Sequence, residues 1–150
     1  MASPHTTTNR SLVQYAALAV GAVFLLVGIL GFIPGITSNT EHLGMAGHHS
    51  ESMLLGIFQV SVLHNVVHLL FGVLGLTLWR SAPKAKGFLL IGGIVYLVLG
   101  FYGVFIDQSS AANFVPVNTA DNILHFALGV GMAGLGLVLG KNPSMARRTA

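Results

Sequence analysis

Cysteine is missing altogether from this chain and charge is nearly so, with four acidic and seven basic side chains spread over 150 residues. The first absence excludes disulfides and thiolate ligands, so any bound metal must be held by nitrogen and oxygen. The second excludes an ordinary soluble domain, in which about a quarter of the residues are charged. Here 7% are charged against 53% hydrophobic, and the mean hydropathy is +0.78. The sequence also lacks a nucleophile beside a base, a phosphate-cradling loop and a nucleotide fingerprint, since its glycines fall inside apolar runs and not at strand-to-helix turns. A hydrolase or kinase is therefore not expected, nor is an enzyme of any recognisable type.

What the chain does have is four apolar stretches, 12–33, 57–79, 87–106 and 120–140, each about the twenty residues that a helix needs to cross a bilayer. Backbone groups in lipid must be satisfied within the segment, which leaves helix as the form of each. The expected fold is all-α, an integral membrane four-helix bundle over 12–140, preceded by a disordered polar tail at 1–11 and followed by a basic tail at 141–150. No small-residue cleavage pattern follows the first stretch, which argues for a retained helix over a signal peptide.

Charge sets the orientation. Arg10, Arg80, Lys84, Lys86, Lys141, Arg147 and Arg148 fall before the first stretch, between the second and third, and after the fourth. The other two loops, 34–56 and 107–119, hold Glu41, Glu51 and Asp107, with Asp121 at a boundary. Basic loops stay in the cytoplasm, so both termini are expected there. These few scattered cations, not interleaved with aromatics, are no footprint for nucleic acid. Trp79, Tyr102 and Tyr15 read as interfacial anchors.

The chain also repeats itself. A shift of 72 residues pairs Gly21 with Gly93, Phe24 with Tyr96, Leu25 with Leu97, Gly28 with Gly100 and Gly31 with Gly103. A shift of 57 pairs His64 with Asp121, Asn65 with Asn122, His68 with His125 and Gly72 with Gly129. Two helical hairpins related by an axis along the membrane normal would give both matches. The shifts differ by 15 residues, which places extra length in the first outer loop, where His42, Met45, His48, His49 and Met53 lie. A soft or borderline metal captured by that loop is one reading of it; a flexible loop without such a task is the other. Ser50 or Ser52 could cap the second helix, and Asn118 or Thr119, with Asp121 a turn later, the fourth.

The polar signature inside the bundle is His64-Asn65-Val66-Val67-His68, echoed by Asp121-Asn122-Ile123-Leu124-His125. Residues four apart share a helix face, so His64 stacks on His68 and Asp121 on His125. Three imidazoles and a carboxylate from two helices suit a divalent zinc, copper or iron ion, with Asn65 and Asn122 fixing ring tautomers or bridging helices. Besides a proton pathway, for which a polar cluster confined to one half of the membrane offers no continuous route, two alternatives stand beside that metal site. His68 and His125 are the natural axial pair for haem b, which would leave His64 and Asp121 without a role. A purely structural use is the other, in which hydrogen-bonded histidines pin helices in an accessory subunit or scaffold of a larger membrane complex. Small residues at Gly129, Ala133, Gly136 and Gly140 also leave self-association open, as they let helix backbones approach.

The run from His64 to Gly72, the run from Asn118 to His125 and the Gly-rich first and third stretches resemble a family of small four-span bacterial membrane proteins, common in actinobacteria and catalogued as domain of unknown function 4383. The resemblance covers about residues 12 to 140. It implies a plasma-membrane location and no established activity, and it supplies no catalytic residues to carry over.

Overall fold

A computed structural model describes residues 10–141, so the expected tails fall almost entirely outside the described residues. Four helices dominate: α1 (Leu12–Leu30), α2 (Val62–Leu78), α3 (Ala82–Phe105) and α4 (Thr119–Leu139). Helices α1, α3 and α4 are long and apolar enough to cross a membrane. Helix α2 has 17 residues, about 26 Å at 1.5 Å per residue, slightly less than the hydrocarbon thickness.

The second helix is shorter than its apolar stretch because the chain preceding it is extended. Strands β1 (Thr37–Ser38), β2 (Met53–Leu54) and β3 (Phe58–Gln59) form a small antiparallel sheet in the order β1-β2-β3. Phe58 and Gln59 were expected within the helix; they pair with Leu54 and Met53 instead. Ser61 then caps α2, its hydroxyl accepting from the His64 N–H at 3.1 Å. Neither Ser50 nor Ser52 is the cap. Their hydroxyls donate to the carbonyls of Val60 (2.5 Å) and Asn39 (2.7 Å), which ties the sheet together. At α4 the expected start holds, with Asn118 accepting from the Asp121 N–H at 3.0 Å and Asp121 answering on the Asn118 N–H at 2.9 Å.

Helix α3 begins five residues earlier than its apolar run suggests. Pro83 sits in the first turn, where its missing N–H costs nothing, and Lys84 and Lys86 are carried into the helix. The chain between α2 and α3 is thus only Trp79–Ser81. Gln14 closes this end of the first hairpin by donating to the Trp79 carbonyl at 3.0 Å. Arg10 lies over the Trp79 ring, 4.3 Å from its centroid.

The helices pack as two hairpins, α1 with α2 and α3 with α4, and the contacts repeat at the spacing of the internal match. A Cβ on Gly72 would stand 2.6 Å from the Leu25 nitrogen, and one on Gly129 2.7 Å from Leu97. Gly31 leaves a notch filled by the Asn65 amide, and Gly103 one filled by the Asn122 amide. Each contact in the first hairpin thus has its counterpart in the second. Where the hairpins meet, the rings of Phe24 and Tyr96, paired by the 72-residue shift, lie 5.2 Å apart.

Polarity is distributed inside out. Val23, Leu26, Ile91, Ile94, Val98, Val130 and Val138 are all exposed, while His64, Asn65, His68, Asp121, Asn122 and His125 are buried. In water such a surface would be an aggregation liability; against acyl chains it is the expected one.

Candidate functional site

The site grows from the loops as much as from the helices. On α2, His64 and His68 stack a turn apart with ring centroids 4.7 Å from one another. His125 on α4 brings its ring to 6.3 Å from His64. The loop between α3 and α4 folds over them: Asn113 is buried, donating to the Gln108 and Val117 carbonyls (3.0 Å each) and accepting from the Val117 N–H at 2.9 Å. This clamp presents the Pro116 carbonyl to His64 Nδ1 at 2.9 Å. A carbonyl can only accept, so a neutral ring that donates to Pro116 carries its proton on Nδ1, and the Gln59 backbone is a second hydrogen-bonding group against the same ring.

Asp121 joins the cluster from the start of α4. Both of its hydrogen bonds fall on Oδ2, which accepts from the Gln59 N–H at 3.0 Å and from the Asn118 N–H at 2.9 Å. The carboxylate therefore ties β3 to the fourth helix as well as facing the histidines. His68 Nδ1 and His125 Nδ1 are buried without a hydrogen-bond partner, an arrangement that native interiors seldom tolerate. Phe24 lies 5.7 Å from the His68 ring and Tyr96 5.2 Å from that of His125, so each hairpin backs its own histidine with an aromatic.

Two cavities adjoin these rings. The smaller, of about 90 Å³, is lined by all four sequence-predicted residues, His64, His68, Asp121 and His125, with Val27, Leu54 and Leu128 among its apolar walls. The larger, of about 270 Å³, is lined by the three histidines together with Tyr96, Tyr102, Phe71, Leu99 and the loop residues Phe114, Val115 and Val117. The four residues thus share one cavity, but as the side chains stand no three His, Asp or Glu groups among the described residues are close enough to hold one ion.

The asparagines do something other than what their spacing suggests. Both amide atoms of Asn65 and Oδ1 of Asn122 lack partners, and the amides fill the glycine notches instead of orienting imidazoles. The group that fixes an imidazole is the Pro116 carbonyl. Nothing in the local sequence marks it. Tyr96 carries a signal that was open to reading, since it is the one place where the 72-residue repeat sets a hydroxyl-bearing ring opposite a phenylalanine. In the first outer loop the rings of His48 and His49 lie 3.9 Å apart, and His48 offers its carbonyl to Gln59.

Residues 14–138 match the model of a protein family described as Domain of unknown function (DUF4383). The match spans most of the chain, which belongs to that family. No curated protein and no solved structure matches it.

Proposed function

We propose that this member of the family is a multi-pass plasma-membrane protein that holds a divalent metal ion among His64, His68, Asp121 and His125. The observation that carries the proposal is the His64–Pro116 hydrogen bond. Metal-bound histidines characteristically donate their second ring N–H to a carbonyl or carboxylate, which fixes the tautomer and leaves the other nitrogen to the metal. Two further imidazoles with partnerless nitrogens and a carboxylate with its hydrogen bonds on one oxygen line the same small cavity. Holding one ion would take rotation of these side chains, since as they stand no three among the described residues are close enough. Nitrogen and oxygen donors favour zinc, iron or copper. Axial ligation of haem b by His68 and His125 has less behind it, because the His64 ring, 4.7 Å from one and 6.3 Å from the other, takes up space that a porphyrin would need.

Four crossings put both termini on one side. Arg10, Arg80, Lys84, Lys86 and Lys141 gather at one end of the bundle and Glu41, Glu51 and Asp107 at the other, which supports cytoplasmic termini and a site in the outer half of the membrane. Protein purified from its membrane and loaded with zinc is expected to retain about one ion per chain through gel filtration. His68→Ala with His125→Ala should abolish that retention while the helical circular dichroism persists. Equal retention by the doubly substituted protein contradicts the metal site. Loss of thermal stability with no retained ion in either protein would favour the structural use of these residues.

A further inference from the structure

The larger cavity differs in chemistry from the small one beside it. Apart from the imidazoles, its walls are Val67, Phe71, Val95 and Leu99 on α2 and α3, closed by Phe114 and Val115 of the loop. An apolar cavity of about 150 Å³ takes up benzene, so about 270 Å³ is room for a substituted or bicyclic ring. Val95, Leu99 and Phe114 of its wall have exposed side chains, and the first two, on α3, put that side of the cavity against acyl chains in a bilayer. Two tyrosines belong to this wall, and the hydroxyl of Tyr102 already donates to the Ala112 carbonyl at 2.8 Å. Tyr96 is 2% exposed and lines the cavity, and none of the side-chain hydrogen bonds found among the described residues involves its hydroxyl, in contrast to that of Tyr102, although a buried tyrosine hydroxyl ordinarily finds a partner.

We infer that this cavity binds the ring of a lipid-soluble quinone, with the Tyr96 hydroxyl donating to one of its carbonyl oxygens. The aromatic walls suit a flat ring, the unpartnered O–H suits a carbonyl acceptor, and the lipid-facing side suits a molecule that arrives from the membrane with an apolar tail trailing behind it. A fully apolar ring would leave the hydroxyl unsatisfied. An alcohol or phenol would call for an acceptor on the wall, and the imidazoles that could accept, those of His64, His68 and His125, are the groups proposed for the ion. The quinone and the ion thus draw on different atoms, and the choice of a carbonyl ligand over a hydroxyl one rests on the proposed ion site.

The probe is 2-methyl-1,4-naphthoquinone, titrated by equilibrium dialysis into the full-length protein in lipid nanodiscs, with 2-methylnaphthalene as the carbonyl-free control. Each titration is run on chelator-treated and on zinc-loaded protein, so that failure of the metal site and failure of the quinone site are told apart. Saturable binding of one quinone per chain is expected. It should be about 3- to 10-fold weaker in Tyr96→Phe, the usual worth of one hydrogen bond, whereas the methylnaphthalene should not distinguish the two proteins. Leu99→Trp, which fills the cavity, should abolish saturable uptake of both. Quinone uptake that is unsaturable, or equally tight in the wild type and Tyr96→Phe, overturns the inference. Should Leu99→Trp fail to fold, the Tyr96→Phe comparison decides alone.

Discussion

Asn65 and Asn122 show how a single residue can be legible in place and misread in role. Their spacing put them on the buried stripe beside the histidines, and both are buried there. Their partners are glycines from the neighbouring helix of the same hairpin, which spacing within one helix does not reveal. Because the Asn65 amide occupies the notch left by Gly31, a methyl group there has no room. Gly31→Ala is expected to destabilise the protein by about 1–3 kcal/mol, the ordinary cost of overpacking. Gly103→Ala should act alike through Asn122, and Gly35→Ala, where a Cβ meets nothing nearby, should be limited to the milder penalty of its left-handed backbone. Thermal denaturation in detergent would rank the three, and a Gly31→Ala protein as stable as the wild type would refute the notch. Pro116 is the opposite case: its carbonyl acts through a fold of the loop that no pattern of residue types announces.

At the scale of elements, the helices were readable from hydropathy, while their ends depended on chemistry that hydropathy does not contain. Helix α3 starts early because Pro83 and the short connection from α2 allow it, although Lys84 and Lys86 interrupt the apolar run. Helix α2 starts late because residues 58–59 pair into a sheet whose strands are only two residues long, too short to register as alternation. The start of α4 was legible, since Asn118 and Asp121 form a reciprocal capping box. Asn118→Ala removes the acceptor for the Asp121 N–H and also the donor to the Ile57 carbonyl at 2.8 Å. A loss of about 1 kcal/mol is expected from the cap, with faster amide hydrogen exchange confined to the first turn of α4 and the Ile57 turn. Exchange rising evenly along α4 would show that the cap is not what holds this end.

For the molecule as a whole, the repeat is the most informative property of the chain. Glycine-rich apolar helices resemble one another by chance, so matched letters were moderate evidence. Matched contacts are stronger, because Gly72 against Leu25 and Gly129 against Leu97 obey both shifts together. The same duplication sets Phe24 beside Tyr96 and gives each hairpin one histidine backed by an aromatic, His68 in the first and His125 in the second. The proposed four crossings, with basic residues at one end, predict the topology. As the chain has no cysteine, Ser109→Cys and Ser81→Cys can each be labelled alone. In intact cells a membrane-impermeant maleimide should modify the first and spare the second; the reverse pattern would invert the molecule, and labelling of both would break the hairpins.

The account turns on three imidazoles from two hairpins acting as one ligand set, and nitrogen-15 NMR of histidine-labelled protein during a zinc titration tests this most directly. Before zinc, His64 should show the neutral tautomer with Nδ1 protonated. The resonances of His64, His68 and His125 should then shift together, with one midpoint at about one ion per chain, while those of His42, His48 and His49 follow separately if they move at all. Three independent midpoints, or a shift confined to the outer-loop histidines, would contradict the shared site.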